Sequence, residues 1–137
     1  MSRNRGSISV ATVMTHGVRS VGPEERLDRA CEILTDGHCH HLPIVERGRP
    51  VGMVSSRDLI RVAQERGAST FSAQLLGGAT VAEIMTPAVE TVHLDDSVDS
   101  AIDRIGKGDI HSLAVIDDEG ALAGIVTHND LLQYLMS

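Results

Sequence analysis

The sequence predicts an α/β fold of two repeats, each with the element order helix-β-α-β-β-α, packed pseudo-symmetrically around two clefts between the repeats. The first observation is a duplication, because Val10–Thr15 (VATVMT) returns 71 positions later as Val81–Thr86 (VAEIMT). The second observation is that apolar residues and glycines keep this spacing through both copies. Each copy is too small to bury a large core alone, so we expect the two copies to pack against each other.

The repeat register gives the predicted domain bounds. The first repeat covers residues 9–66, a linker covers 67–79, and the second repeat covers 80–136. One residue is inserted in the turn Asp117–Gly120, and beyond it equivalent residues lie 72 positions apart, as Asp58 and Asp130 do. The linker is rich in glycine, and we expect at most a short helical turn around Phe71–Leu76.

Each repeat opens with a short helix followed by a strand. Ser9 is the expected helix start in the first copy, and Thr80-x-x-Glu83 in the second is a capping box, in which each side chain satisfies a backbone donor. Alternating apolar residues predict strands over Val18–Val21 and Val89–Val92.

The rest of each repeat follows the same order. An apolar stripe at helical spacing predicts the second helix, which ends near Gly37 or Gly108. Continuous apolar runs, a turn and a further strand predict a hairpin. The closing helix should then bury the following residues: Leu59, Ile60 and Ala63 in the first repeat, and Leu131, Leu132 and Leu135 in the second.

Composition excludes several classes of function. The chain of 137 residues has a formal net charge of −7, which disfavours binding to a nucleic-acid backbone. Phe71 and Tyr134 are its only aromatic residues, so it has few platforms for stacking bases. We see neither a membrane-spanning run nor a signal peptide, and Cys31 and Cys39 suggest no disulfide framework. We therefore expect a cytoplasmic protein that contacts neither membranes nor nucleic acids.

The chain resembles a tandem pair of cystathionine-β-synthase (CBS) domains, the arrangement called a Bateman module. The resemblance rests on ordered strings that occur in both copies at one spacing and together cover about Ser9 to Met136. These strings are Val13-Met14-Thr15, His41–Val45 and Gly52–Asp58 in the first copy, and Ile84–Pro87, His111–Asp117 and Gly124–Asp130 in the second.

The chemistry is concentrated where the last strand of each repeat meets the closing helix. Ser55-x-x-Asp58 and Thr127-x-x-Asp130 each place a hydroxyl and a carboxylate at a helix start. Helix capping alone explains such a pattern. The functional interpretation is that the helix N-terminus binds a phosphate while the aspartate accepts hydrogen bonds from ribose hydroxyls.

The resemblance to CBS pairs implies adenosyl-nucleotide sites in two clefts. One cleft would combine Ser55, Arg57 and Asp58 with Thr86 and Val89, and the other would combine Thr127, His128 and Asp130 with Thr15 and Val18. His40, His41 and His111 would form cleft walls. Because Arg57 is charged and its counterpart Asn129 is neutral, we expect the first cleft to be the better site for a polyphosphate.

The segment His38–His41 is a rival site, since four potential metal ligands occur in a row. Consecutive residues rarely converge on one ion, and alternate side chains of a strand point to opposite faces. We therefore expect no native metal site there.

The sequence thus predicts a regulatory module rather than an enzyme, with no covalently bound cofactor. An adenosyl nucleotide (AMP, ADP, ATP or S-adenosylmethionine) would act as its regulatory ligand. Because the sequence ends at Ser137 without an effector domain, we expect the output to lie on an effector protein or on an oligomeric state. The resemblance to CBS pairs implies a homodimer. A ligand-free assembly module and a metal-responsive protein are the alternatives. The sequence does not identify the ligand, the number of occupied clefts, the effector or the direction of regulation.

Overall fold

The computed structural model describes residues 8–37, 39–87, 89–108 and 110–137. The chain forms two compact units. One unit consists of Arg19–Ala88, and we call it the central unit. The other combines Met1–Val18 with Val89–Ser137, and we call it the composite unit because two separate stretches of chain build it.

Helices and strands alternate along the chain. The helices are α1 (Val10–Val13), α2 (Leu27–Asp36), α3 (Ser56–Arg66), α4 (Ala68–Leu76), α5 (Val98–Gly106) and α6 (His128–Leu135), with a 3-10 turn at Val81–Glu83. The strands are β1 (His41–Glu46), β2 (Arg49–Ser55), β3 (Thr86–Pro87), β4 (Thr91–His93), β5 (Ser112–Ile116) and β6 (Leu122–Thr127). This order confirms the predicted mixed fold of two similar repeats.

The central unit is built on an antiparallel sheet in the order β1-β2-β3. Leu42, Ile44 and Val54 are fully buried from the strands, and Leu27 is fully buried from α2. The predicted strand at Val18–Val21 is reduced to one parallel bridge between Val21 and Ile44. The apolar run that predicted β1 is therefore buried as expected of a covered strand.

The composite unit is built on a sheet in the order β4-β5-β6, in which β4 runs parallel to β5 and β6 runs antiparallel. Its core contains Val10 from α1, Val98 from α5 and Val115 from β5, all fully buried. The predicted strand over Val89–Val92 is found as β4, shifted toward His93.

Each unit takes the opening segment of one repeat and the body of the other. Thr15, from the first repeat, pairs with Ile125 on β6 of the second repeat. Thr86, from the second repeat, pairs with Met53 on β2 of the first repeat. Since Thr15 is equivalent to Thr86 and Ile125 to Met53, the two pairings join equivalent residues of the two repeats.

The closing helices bury fewer residues than the sequence predicts. In α3, Leu59 and Val62 are buried, whereas Ile60 is 72% exposed. The side chain after a core-facing residue points about 100° away around a helix, so Ile60 leaves the core. In α6, Leu131 is buried, and Tyr134, the counterpart of Val62, packs against the core. The predicted burial of Leu132 and Leu135 is also wrong, because these residues are 52% and 49% exposed.

The segment between the repeats is more regular than expected. Most of it forms α4, whose Phe71 is buried against the central core. The capping box after it is confirmed, with the Thr80 backbone N–H donating to Glu83 Oε2 at 2.8 Å, although it opens a 3-10 turn rather than an α-helix. In the described part of the chain, no helix is long and apolar enough to cross a membrane.

Candidate functional site

Both predicted hydroxyl-carboxylate turns cap a helix. Ser55 ends β2 and caps α3, where its Oγ accepts the Asp58 backbone N–H at 3.0 Å. Thr127 ends β6 and caps α6, where its Oγ1 accepts the Asp130 backbone N–H at 3.3 Å. The caps satisfy one donor each, and the other N–H groups of the first turn remain directed toward the helix N-terminus.

The first candidate site lies in the composite unit and is called the Asp130 site; it consists of Thr15, Thr127, His128 and Asp130. The Thr15 hydroxyl donates to Asp130 Oδ1 at 3.0 Å. Asp130 Oδ2 accepts the Thr127 backbone N–H at 2.9 Å and the Thr127 hydroxyl at 3.3 Å. Both carboxylate oxygens of Asp130 are therefore engaged inside the protein.

Gly124 allows the Thr15 backbone to come close to β6. The Thr15 N–H donates to the Ile125 carbonyl at 2.8 Å, and the Ile125 N–H donates to the Thr15 carbonyl at 3.2 Å. A Cβ at Gly124 would lie 2.6 Å from the Thr15 carbonyl oxygen, a distance shorter than Cβ atoms show to their neighbours in proteins. The glycine is thus needed for the approach that brings the Thr15 hydroxyl to Asp130.

The second candidate site lies in the central unit and is called the Asp58 site; it consists of Ser55, Arg57, Asp58 and Thr86. Asp58 Oδ1 lies 3.4 Å from Arg61 Nη2, a long contact with a half-exposed side chain. Within the described residues, the Ser55 cap is one-sided, because the reciprocal bond that the Thr127 backbone N–H donates to Asp130 has no counterpart here. Thr86 is exposed beside β2, and Arg57 is exposed in the first turn of α3.

The other predicted site residues fall near these turns or outside the described chain. His111 and His128 stack edge to face, with ring centroids 6.5 Å apart. The carbonyl of His40 accepts the Ser56 backbone N–H at 3.0 Å, and His41 begins β1. Val18 and Val89 both belong to the composite unit, so the Asp58 site has Thr86 but not Val89 in its own unit. His38, from the rival metal segment, lies outside the described residues.

The arrangement suits a ligand that carries both an anion and hydroxyl groups. The N-terminal turns of α3 and α6 offer backbone N–H donors and the positive end of a helix dipole. The aspartate three residues after each cap offers acceptor oxygens for O–H donors. Such a combination matches a phosphorylated or otherwise anionic sugar better than an uncharged apolar ligand.

A groove of about 450 Å³ in the central unit was not foreseen from sequence. It lies among α2, α3 and α4, and its lining includes Cys31, Cys39, His40 and Phe71 but neither Arg57 nor Asp58. Burial, with a smaller effect from the Asp28 carboxylate, raises the pKa of the Cys31 thiol. The linker helix α4 forms one side of this groove, where the sequence predicts at most a short helical turn.

A second unforeseen cluster joins two turns of the composite unit. His93 ends β4, and its side chain is 31% exposed. Among the described residues, the ligand atoms of His93, Asp95 and Asp118 lie within 4.8 Å of one another. Both ring nitrogens are already engaged, because Nε2 contacts Asp118 at 2.6 Å and Nδ1 accepts the Asp95 backbone N–H at 3.0 Å. Hydrogen bonding and charge therefore account for this cluster.

The sequence matches the family model described as the CBS domain at residues 10–65 and again at 81–137. The chain belongs to the CBS-domain family and contains two CBS domains in tandem. This result confirms the resemblance that the repeated strings indicate.

Curated relatives contain this region as a small part of longer proteins. The L-aspartate semialdehyde sulfurtransferase of Methanocaldococcus jannaschii is 36% identical over 104 residues, which is 74% of this chain and 18% of that protein. The inosine-5'-monophosphate dehydrogenase of Thermoplasma acidophilum is 26% identical over 88% of this chain and 22% of its own length. The chain thus spans about a fifth of these relatives.

Solved structures of CBS pairs share the fold over nearly the whole chain. CBSX2, a CBS-pair protein from Arabidopsis thaliana, was solved in complex with AMP; it is 25% identical, with a TM-score of 0.79 over 94% of this chain and 96% of that one. The CBS domain pair of protein MJ0100 was solved with 5'-methylthioadenosine and S-adenosyl-L-methionine. It is 29% identical, with a TM-score of 0.77 over 93% of this chain and 95% of its own.

Proposed function

We propose that this protein is a regulatory module that binds an adenosyl nucleotide at the Asp58 and Asp130 sites. The observation that carries the proposal is the repeated helix start, at which a hydroxyl caps the helix and an aspartate lies three residues after the cap. In each unit a Met-Thr segment pairs with the strand that leads into this helix. In each site the helix start would hold the phosphate or other anionic group, and the aspartate would accept ribose hydroxyls.

Two structural relatives support an adenosyl ligand. CBSX2 has been solved with AMP, and the MJ0100 domain pair with 5'-methylthioadenosine and S-adenosyl-L-methionine. These ligands share an adenosine core and differ at the 5' position. We therefore propose adenosine as the common recognised element, with His40, His41, His111 and His128 contributing to the walls of the sites.

Regulation would follow from linkage between ligand binding and conformation. A ligand shifts a conformational equilibrium only by its difference in affinity for the two states. We propose that nucleotide binding changes the surface presented to an effector protein, and that the chain itself carries out no catalytic step and acts in the cytoplasm.

We further propose that the module acts as a homodimer. Large apolar side chains are exposed on the closing helices, with Ile60 of α3 at 72% and Leu132 of α6 at 52%. Covering them in a second copy would remove apolar area from water. Ile60→Arg and Leu132→Arg should therefore shift the mass measured by light scattering toward the monomer. Leu76→Arg, at the 84% exposed end of α4 and on neither closing helix, is the control and should leave the mass unchanged.

The nucleotide proposal is tested by calorimetric titration with AMP, ADP, ATP and S-adenosylmethionine. We expect at least one of them to bind the wild-type protein, and Asp58→Asn combined with Asp130→Asn to lower its affinity about tenfold or more, because charge-assisted hydrogen bonds are lost.

Asp99→Asn is the control for that titration. Asp99 also lies in the first turn of a helix, α5, but outside both sites, so its replacement should leave nucleotide affinity unchanged. If none of the four compounds binds at millimolar concentration while the dimer persists, the ligand-free assembly module becomes the better description. Stoichiometric zinc lost on replacing His40 and His41 would instead support the metal-responsive alternative.

A further inference from the structure

The Asp130 carboxylate has few acceptor positions left for a ligand. Its two oxygens offer about four lone-pair positions, and three hydrogen bonds already use them. The donors are the Thr15 hydroxyl, the Thr127 backbone N–H and the Thr127 hydroxyl. A ribose diol bound by one carboxylate donates two hydrogen bonds and needs two acceptor positions. Only about one position remains on Asp130.

The equivalent carboxylate in the central unit is much less occupied. In the described part of the chain, Asp58 accepts one side-chain hydrogen bond, from Arg61 at 3.4 Å. The counterpart of Arg61 beside Asp130 is the neutral Gln133. Thr86 is equivalent to Thr15, and the described residues show no Thr86 hydrogen bond to Asp58.

The Thr15 hydroxyl is held at Asp130 by the backbone and not only by a side-chain rotamer. Two hydrogen bonds fix the Thr15 backbone to Ile125, at 2.8 and 3.2 Å. Gly124 lets the two backbones approach this closely. The hydroxyl therefore presents to Asp130 Oδ1 the same O–H donor that a ribose hydroxyl would present.

We infer that Thr15 is an internal competitor for the ribose-binding face of Asp130, and that it lowers the affinity of the Asp130 site relative to the Asp58 site. The inference rests on the proposed nucleotide binding. A nucleotide with a free 2',3'-diol displaces the Thr15 hydroxyl to bind the Asp130 site, whereas it meets no such competitor at the Asp58 site. The Asp58 site fills first. Thr15 thereby has a different role from the direct ligand contact that the family resemblance implies.

The test isolates each site and removes one hydroxyl at a time. AMP is titrated calorimetrically into Asp58→Ala and into Asp58→Ala combined with Thr15→Val, so that binding at the Asp130 site is compared with and without the competitor. We expect Thr15→Val to raise AMP affinity about tenfold, the scale of one charge-assisted hydrogen bond. The matched pair is Asp130→Ala with and without Thr86→Val, in which AMP affinity should not rise.

Titration with a second ligand distinguishes competition by the Thr15 hydroxyl from a change in the shape of the Asp130 site. The nucleotide 2',3'-dideoxy-AMP lacks both ribose hydroxyls, so it cannot use the acceptor position that Thr15→Val frees, and its affinity should stay the same. An equal gain for both nucleotides, or unchanged or weaker AMP binding after Thr15→Val, would overturn the inference.

Wild-type binding distinguishes failure of this inference from failure of the proposed function. If AMP binds the wild-type protein and the two aspartate variants weaken it, but Thr15→Val gives no gain, only the role of Thr15 is refuted. If the wild-type protein binds none of AMP, ADP, ATP and S-adenosylmethionine, both proposals fall. Thermal melting of each variant shows whether it remains folded.

Discussion

The Asp58 and Asp130 sites differ in how completely the protein satisfies its own polar groups. Asp130 is bound by a reciprocal capping box and by Thr15, whereas Asp58 has a one-sided cap and a long contact with Arg61. The sequence difference at these sites is small, because both copies carry the same hydroxyl-x-x-Asp pattern. Equivalent residues in a duplicated fold can therefore serve the stability of one site and leave the other open to ligand.

The largest expected difference is in the free energy of unfolding after substitution of Gly124 and Gly52, the two glycines that pack against the Met-Thr segments. At Gly124 an added Cβ would collide with the backbone carbonyl of Thr15, but at Gly52 the nearest atom is the flexible Met85 sulfur. We expect Gly124→Ala to lower the free energy of unfolding by about 2–3 kcal/mol and Gly52→Ala by about 1 kcal/mol, as found for overpacked sites. Urea unfolding followed by circular dichroism measures both; equal losses would contradict the asymmetry.

Removing the aspartates should separate their structural roles. Asp130→Ala eliminates the capping box and the Thr15 bond, so it should cost about 1–2 kcal/mol of unfolding free energy. Asp58→Ala keeps the Ser55 cap, which uses the backbone N–H, and loses a partly exposed contact with Arg61, so it should cost about 0.5 kcal/mol or less. Chemical denaturation of the two variants in parallel provides the measurement. A larger loss of unfolding free energy for Asp58→Ala than for Asp130→Ala would contradict this prediction.

Arg57 should affect charged ligands only. Its counterpart is Asn129, so the Asp58 site alone carries a guanidinium at this position. We expect Arg57→Ala to weaken AMP about tenfold while adenosine affinity changes less than about twofold, because only AMP has a phosphate. Calorimetric titration of the Asp130→Ala background with both compounds isolates this site. Asn129→Ala in the Asp58→Ala background is the control, and a similar loss of AMP binding there would refute the special role of Arg57.

The smallest expected effect concerns the thiol in the groove of the central unit. Burial, together with Asp28, raises the pKa of Cys31 above its ordinary value of 9.0. The folded protein thus favours the protonated thiol, and this stabilising contribution is full below the pKa of the unfolded chain and lost as pH rises through the folded pKa. In Cys39→Ser protein, we expect the rate at which iodoacetamide alkylates Cys31 to reach half its maximum at a higher pH in the folded protein than in protein unfolded by urea. The same midpoint in both states would contradict the shift.

Much of the fold could be read from local patterns. The capping box at Thr80 and Glu83, the apolar runs of β1 and β5, and the helix end at Gly37 follow from short-range chemistry. Errors arose where burial depends on what packs against an element. Ile60 fits the apolar pattern of α3, yet it lies at the open groove of the central unit and remains 72% exposed. Leu132 and Leu135 of α6 likewise fit the apolar pattern and are 52% and 49% exposed.

The sequence by itself determined the duplication, the order of elements in each repeat and the two helix starts that carry a hydroxyl and a carboxylate. Only the tertiary structure decided how closely Thr15 approaches Asp130 and that Thr86 leaves Asp58 without the same bond. Local spacing cannot supply this, because both Met-Thr segments and both final strands carry equivalent patterns, so either pairing satisfies the same backbone hydrogen bonds. The satisfied carboxylate belongs to the more closely packed pairing, in which a Cβ at Gly124 would lie 2.6 Å from the Thr15 carbonyl oxygen, whereas one at Gly52 would lie 3.1 Å from that of Thr86.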